Sequence, residues 1–544
     1  MSSPFFEKSK EIANDFIQSI VFIDDKAFKV EERNPHEFNA QQITQTFAKS
    51  EKICAVYKPE TSSDIDNIAL VAKKADISVI DWQIIITEEE IVGKGEEDAE
   101  EDEPRGLYTR KIIKEILSDT LNGNENLKLV FVYTGEIDLY NITDTLFDDL
   151  TTLSIKGIQK GDCIIYSDKM KIHVISKPSV DNKEEELKFK HNPKLIDKIV
   201  TYENLPEFIL TEFTKMTCGL LSNFALKSLT EIRKNSSKLL SLFSKDLDPA
   251  YLSHQSLLPN QDDANELLLE IMKDSLTGIL KYRQLNTFLS ASLIKLWLDE
   301  NIKEIDKPIL KQDGSNTAKK YKRDKSLLNN LLTKGVDIKT RFKDVLNPLN
   351  FNTKEIEGYQ KENNITLYSD LTGEFHKALY KEFAILTHHK SLYRPITYIP
   401  VLSLGTVVLS SNGNYFVCIQ QRCDSVRIFA PDERRFLFIL LNKIGEDKQF
   451  DFVTPSGIKL QIENKTYSIR TIKFIGHEEG IIKAIEKDGK YYFEQKYQGD
   501  HDEKFEWLFD LKDLHAQRII ANYTAELNRV GLDDFEWIRR SKNV

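Results

Sequence analysis

Five short apolar runs separated by helical patterns constrain this chain more than any other feature it has. They are Ser19–Ile23, Ile53–Tyr57, Ile77–Ile80, Leu127–Tyr133 and Ile172–Ile175. Each is too short for a buried helix and draws on Val, Ile and aromatic residues, so each reads as a strand. The intervening segments Ala40–Lys49, Thr61–Ala75, Leu107–Leu117 and Ile137–Leu150 read as helices. Thr61–Ala75 opens with Thr-Ser-Ser-Asp, suited to an N-cap, and then places Ile65, Ile68, Ala69 and Ala72 on one face. Strands that are apolar throughout and joined by helices belong in a parallel sheet covered on both sides. Residues 1–182 are therefore expected to form an α/β domain around a five-stranded parallel sheet.

The pattern then changes. Residues 183–202 are charged and read as the start of a linker, opening a mainly helical region, 183–390. Asn204-Leu-Pro-Glu207 has the marks of a helix start. Apolar residues from Phe208 to Ile232 follow at helical spacing, toward Phe243, with Gly219 a weak spot inside. Asp262–Trp297 is a second helical pattern with a weak spot at Gly278, and Leu371–Lys390 a third. Between them lies a basic loop, 303–343, centred on Lys319-Lys-Tyr-Lys-Arg323. Residues 391–500 read as a β-rich domain, with strands at Tyr398–Leu402, Thr406–Leu409, Tyr415–Gln420, Ser425–Phe429, Lys459–Glu463, Ser468–Phe474 and Tyr491–Phe493. Residues 501–544 read as a C-terminal helical segment, its helix at Leu511–Val530.

Composition narrows the function classes. The net charge of −11 is concentrated: residues 88–103 hold ten acidic residues against Lys94, which leaves the rest of the chain near −2. This acidic insert, 88–105 with its flank, reads as a solvated loop. Duplex binding needs a clustered cationic face, and no basic surplus supplies one, so no nucleic acid is expected as partner. No apolar run approaches the roughly 18 residues of a membrane span, and no secretion signal is expected from the N-terminal residues. Five scattered cysteines suit a reducing compartment, so the cytoplasm is the expected location. A G-x-x-x-x-G-K-[ST] phosphate loop is missing, and Gly93-Lys-Gly95 sits where phosphate would be repelled.

In an open parallel sheet, ligands bind beyond the carboxyl ends of the strands. Here those ends carry Asp24-Asp25 after the first strand, Asp81 after the third, Thr134-Gly135 after the fourth and Lys177-Pro178 after the fifth. Three crowded carboxylates invite a hard divalent cation such as Mg²⁺, which keeps waters for phosphate oxygens. A carboxylate beside it can act as a nucleophile for phosphoryl transfer. The Lys177 ammonium and Thr134 hydroxyl would stabilise the transferred charge, and Gly135 would leave the approach uncrowded.

In these motifs the sequence resembles the receiver domain of two-component response regulators. The resemblance implies a flavodoxin-like fold. It implies Asp81 as phosphoacceptor, with metal held by Asp25 most directly, Asp24 assisting, Asp81 itself and the backbone carbonyl of Gln83. It also implies a cis Lys177–Pro178 bond. The chain departs from the family in three ways. The intervals between the motifs are long, the excess falling at loops in 88–103 and 151–170. The Met-Pro usual after the phosphoacceptor is replaced by Trp82-Gln-Ile-Ile. Val174 stands where an aromatic residue often couples the site to output, so phosphorylation is expected to alter residues 183–544 little. Leu220-Leu-Ser-Asn-Phe-Ala-Leu226, Asp246-Leu-Asp-Pro-Ala-Tyr251, Cys418-Ile-Gln-Gln-Arg-Cys-Asp-Ser-Val426 and Ala516-Gln-Arg518 further resemble a family of bacterial proteins similar to the buffer component of the Detocs antiphage phosphorelay.

The expected function is a phosphoacceptor of a His-Asp phosphorelay and, as that resemblance implies, a sink for stray phosphate in antiphage defence. Its partners would be a histidine kinase of the same system and a sibling response-regulator effector. No enzymatic turnover is expected beyond taking and losing the phosphoryl group. The rival readings are an unphosphorylated receiver that serves as a scaffold and an effector with an unrecognised C-terminal activity. Cys418 and Cys423, five apart, fall on opposite faces of a strand and read as structural rather than metal-binding. His254 lacks a following acid and reads as a surface residue. Arg422 and Arg427 could bind an acidic partner or pair locally.

Overall fold

The computed structural model describes residues 3–527 apart from 29–37, 87–105, 119–125, 179–196, 259–262, 303–305, 310–318, most of 323–376, 446–449, 495–502 and the single positions 137, 154, 396 and 464. The acidic insert, most of the basic loop and residues 528–544 thus lie outside the described residues. The chain divides into two compact units, Met1–Gly373 and Glu374–Val544.

The first unit opens with helix α1, Pro4–Phe16, capped by the Ser3 side chain with Pro in the first turn. The sequence reading assigned nothing there. Strands β1 (Ser19–Ile23), β2 (Ile53–Tyr57), β3 (Ile77–Ile80) and β4 (Lys128–Thr134) alternate with helices α2 (Ala40–Lys49), α3 (Ser62–Lys74) and α4 (Leu107–Ile116). Helix α5 (Leu139–Thr151) follows β4, then β5 (Gln159–Gly161), β6 (Ile164–Tyr166) and β7 (Met170–Ser176). The sheet order is β2-β1-β3-β4-β7-β6-β5. The first five strands in that order are all parallel, and β6 pairs antiparallel with both β7 and β5. The expected five-stranded parallel sheet is present. Residues 159–166, expected to be loop, instead form a hairpin that extends it. A two-residue turn at Asp162-Cys163 closes this hairpin, with Cys163 at φ +55°, and Ile165 is buried on the sheet.

Side chains alternate across the strands and fill two cores. Val21, Ile80, Val132 and Val174 pack under Ile65 of α3, Ile112 of α4 and Leu146 of α5. On the other face, Phe22, Val79, Phe131 and Ile175 meet Ile12 of α1, Phe47 of α2 and a further helix, α6 (Leu205–Thr217), through Leu205, Ile209 and Phe213. The region read as a separate helical part therefore contributes a layer of the receiver-like sheet. Glu212 of α6, nearly buried, lies 2.9 Å from Lys171 and 3.0 Å from His173, both on β7. Burial opposes its charge, but His173, Lys215 and Lys171 outweigh that and hold the carboxyl below its usual range.

The long helix expected to run through Gly219 breaks there. Gly219 is extended at φ −167°, and α7 (Leu220–Leu242) restarts with the Asn223 amide bonded to the Gly219 carbonyl. Helix α8 (Asp248–Leu257) carries exposed His254, and α9 (Asp263–Tyr282) runs straight past Gly278. The second interruption falls instead at Gln284, φ +57°, before α10 (Ala291–Asn301). Strands β8 (Asp306–Ile309) and β9 (Lys319–Lys322) form a two-stranded ladder inside the expected basic loop. No helix among the described residues is long and apolar enough to cross a membrane.

The second unit begins with α11 (Lys377–His388) and is built on an antiparallel sheet. Its strands are β10 (Thr406–Ser410), β11 (Tyr415–Cys418), β12 (Glu433–Lys443), β13 (Phe452–Val453), β14 (Lys459–Ile462), β15 (Ile469–Ile475), β16 (Ile485–Lys487), β17 (Lys490–Glu494) and β18 (Lys504–Asp510), followed by α12 (Asp513–Leu527). Three expectations are corrected here. Tyr398–Leu402 and Ser425–Phe429 form only isolated bridges, Val401 with Lys483 and Val426 with Ile481; Arg427, at φ +63°, interrupts the extended run. The segment read as helical from 501 supplies β18, paired with β10 and β17. Strand β12, which the sequence reading did not assign, is the hub that pairs with β11, β14 and β15. Cys418 is buried on β11 and Cys423 exposed in the turn after it, while Arg422 pairs with Asp513 at 2.7 Å.

Candidate functional site

The carboxyl ends of β1, β3, β4 and β7 meet at one small mouth. The ladder itself carries the site residues forward: the Asp81 amide donates to the Ile23 carbonyl at 2.8 Å, and the Lys177 amide to the Thr134 carbonyl at 2.7 Å. Asp24, Asp25, Asp81, Thr134 and Lys177 are all buried. The three Asp residues each bring a carboxylate oxygen within 4.8 Å of the others. The structure thus brings together the side chains of Asp24, Asp25, Asp81 and Lys177, with buried Thr134 joined to Lys177 through its backbone carbonyl. Gly135 and Pro178 adjoin them in chain order. Gln83, two residues beyond Asp81, is part-exposed.

Charge organises this pocket. Lys177 Nζ donates to Asp24 Oδ2 at 2.6 Å and lies 3.3 Å from Asp81 Oδ1. The latter contact has ion-pair distance without hydrogen-bond alignment, so Asp81 Oδ1 is buried and accepts no hydrogen bond. Asp24 uses its other oxygen to accept from the Lys26 amide at 2.8 Å, which closes the turn after β1. Burial foremost, with the neighbouring Asp24 and Asp25, pushes the Asp81 carboxyl up to about 7 against the opposing pull of Lys177. Burial acts to lower the Lys177 ammonium's pKa, but Asp81 and Asp24 outweigh it and hold the group charged.

The loop after Asp81 is clamped from α4. Thr109 Oγ1 donates to the Asp81 carbonyl at 2.6 Å and reaches the Trp82 carbonyl at 3.0 Å. Gly106 caps α4 in the left-handed region at φ +81°, and a Cβ there would sit 2.3 Å from the Trp82 ring. Glycine is therefore required where the indole packs. The Thr134 hydroxyl accepts from the Glu136 amide at 3.2 Å.

Sequence reasoning missed an aromatic wall around the ammonium. Lys177 Nζ lies 5.5 Å from the Phe38 ring centre and 5.8 Å from that of Tyr133. Tyr202 packs edge-on against both rings. The Tyr133 hydroxyl donates to the Val200 carbonyl at 2.6 Å, and Ile199 bridges Ser176. The sequence marks Tyr133 only as a strand residue and places Tyr202 in a charged stretch with the pattern of a linker. Val174 is buried, as its place in an apolar strand requires, so aromatic contact with the site comes from other elements.

The Lys177–Pro178 bond is not cis; among the described residues the cis bond is Ala430–Pro431. The intrinsic trans preference of an X–Pro bond, about 0.5–1 kcal/mol, is met here.

The donor set suits Mg²⁺. It is all oxygen, three carboxylates lie close together, and the buried Asp81 Oδ1 accepts no hydrogen bond. Asp25, Asp81 and the Gln83 carbonyl are the groups that would hold such an ion, with Asp24 already committed to Lys177.

Among families of known proteins, residues 16–182 match a family model described as a response receiver domain. This stretch, under a third of the chain, is a receiver domain and contains Asp24, Asp25, Asp81, Thr134 and Lys177, while Tyr202 lies beyond it. No curated protein and no solved structure matches the chain.

Proposed function

We propose that this protein accepts a phosphoryl group on Asp81 from a partner histidine kinase and serves as a phosphate buffer in a bacterial antiphage phosphorelay. The observation that carries the phosphoacceptor part is the buried set Asp24, Asp25, Asp81 and Lys177 at the mouth of a receiver sheet. In the transfer, an ionised Asp81 oxygen attacks the phosphorus of a phosphohistidine. A P–O bond forms as the P–N bond breaks, and the imidazole leaves with a proton from water. Lys177 then moves its charge from Asp24 toward the new phosphoryl oxygens, and the Thr134 hydroxyl donates to one of them. A bound Mg²⁺ would supply the remaining positive charge. Thr109 keeps the Asp81 backbone fixed throughout.

The buffer role is supported by the resemblance of segments 220–226, 246–251, 418–426 and 516–518 to the bacterial phosphorelay family. It is supported too by the site chemistry, which takes a phosphoryl group without needing a second active centre. A cognate kinase, phosphorylated and mixed with this chain, should pass label to the wild type and none to Asp81→Asn. In cells carrying the whole system, Asp81→Asn should then cause toxicity without phage, because stray phosphate reaches the sibling effector. Normal label transfer with no toxicity in the mutant would keep the phosphoacceptor and discard the buffer.

A further inference from the structure

The second unit holds a cavity of about 510 Å³ that phosphoryl transfer does not use. Its volume lies in the range typical of small-molecule sites. It sits where the turn after α11 meets the end of β18, and Arg394 sets its character. The guanidinium lies 4.9 Å from the Trp507 ring centre and 5.2 Å from that of Tyr491, at cation–π distance from both. It donates to the Tyr398 carbonyl at 3.3 Å, and among the described residues it meets no carboxylate at ion-pair distance. A guanidinium offers five N–H donors, so most of this fork remains to be used. Lys390 adds a second positive charge on the same wall; its ammonium is 3.6 Å from Asp513.

The rest of the lining is of a different kind. Part-exposed Tyr398 brings an aromatic residue to the lining, and Asp510 brings a carboxyl whose Oδ1 accepts from the Thr406 hydroxyl at 2.8 Å. Ser403 lies beside it on the lining. Two cations beside a flat ring, with a carboxyl and a hydroxyl within one small cavity, ask for a ligand that is anionic at one end and planar and hydrogen-bonding at the other.

We propose that this cavity binds an organic phosphate of mononucleotide size, with the phosphate on Arg394 and Lys390, the planar ring against Tyr398 and a hydroxyl or amino group on Asp510. The two units would then sense different phosphates: one covalently at Asp81, the other reversibly here.

Calorimetry on the full chain tests this with three probes, AMP, adenosine and inorganic phosphate. AMP should bind, and adenosine and phosphate should each bind at least tenfold more weakly. Arg394→Ala should weaken AMP at least tenfold while Asp81 phosphorylation by acetyl phosphate stays unchanged. Because Arg394 also packs on Trp507, Ser403→Trp serves as a second variant; it fills the cavity and should abolish AMP binding in a folded protein. Absence of AMP binding overturns the proposal, as does AMP binding that survives both substitutions. Adenosine or phosphate binding as tightly as AMP overturns it equally.

Discussion

Among the described residues Lys177 is the cation set between Asp24 and Asp81, 2.6 and 3.3 Å away, and Asp25 lies in the same cluster. At the residue scale this makes the ammonium the pocket's internal counter-ion. Removing one partner of a buried ion pair leaves an uncompensated charge and typically costs about 3–5 kcal/mol. Lys177→Ala should therefore be destabilised by about that amount in urea unfolding with a chelator present. Mg²⁺ should recover a large part of the loss, since the carboxylates then share a cation again. The same variant should be phosphorylated more slowly. Equal stability of mutant and wild type under chelator would show that the carboxylates do not depend on Lys177.

At the scale of elements, α6 packs on one face of the receiver sheet. Tyr133, Val200 and Tyr202 link its entry to the pocket around Lys177. Val174 alone had suggested that phosphorylation would leave residues beyond 182 almost unaffected; these contacts revise that expectation. Beryllofluoride with Mg²⁺ should change hydrogen exchange in residues 199–217, and Tyr202→Ala should diminish the change. An unaltered α6 would return the protein to a site without output. Helix α12 and the end of α11 carry a different sensitivity. His389, stacked on Phe509 at 3.9 Å, and His515, stacked on His388 at 4.1 Å, are held down to about 4 by burial. Unfolded histidine takes up a proton near pH 6.5. The depressed folded values contribute stability that is present above about 6.5 and lost as pH falls toward about 4. Melting temperature should drop over that window, and the double variant His389→Gln, His515→Gln should flatten the drop.

What was legible in the sequence follows from the same elements. Strands β1, β3, β4 and β7 were readable because they are buried and largely apolar, and the part-exposed edge strand β2 because its run Ile53-Cys-Ala-Val-Tyr57 is apolar. Their terminal Asp, Thr and Lys residues stood out because polar groups at such ends are set in sharp contrast. The hub strand β12 was not assigned: its run Phe436-Leu-Phe-Ile-Leu-Leu441 is compatible with either a strand or a helix segment, and periodicity cannot choose. Tyr202 was hidden because its role arises only when a segment returns to the sheet across residues outside the described ones. Gly219, read as a weak spot within a helix, is a break because Asn223 on the restarted helix bonds Ser9 of α1, which fixes the new direction.

At the scale of the whole molecule, the receiver sheet does not complete its own cover. Leu205, Ile209 and Phe213 of α6 and Leu226 of α7 belong to the core on one face. A fragment ending at residue 182 would expose that face, including Phe131 and Ile175. It should be soluble only poorly and unfold early, whereas a fragment ending after α10 should fold and still accept phosphate. A stable, phosphorylatable 1–182 fragment would show that α6 and α7 are dispensable. The central claim concerns Asp81 in the intact chain, and phosphorylation by acetyl phosphate with Mg²⁺ tests it most directly. Intact-mass measurement should find one added phosphoryl group, stable in acid, released by base and by hydroxylamine, and absent from Asp81→Asn. A phosphoryl group of the same lability on Asp81→Asn, or none on the folded wild type, would contradict the account.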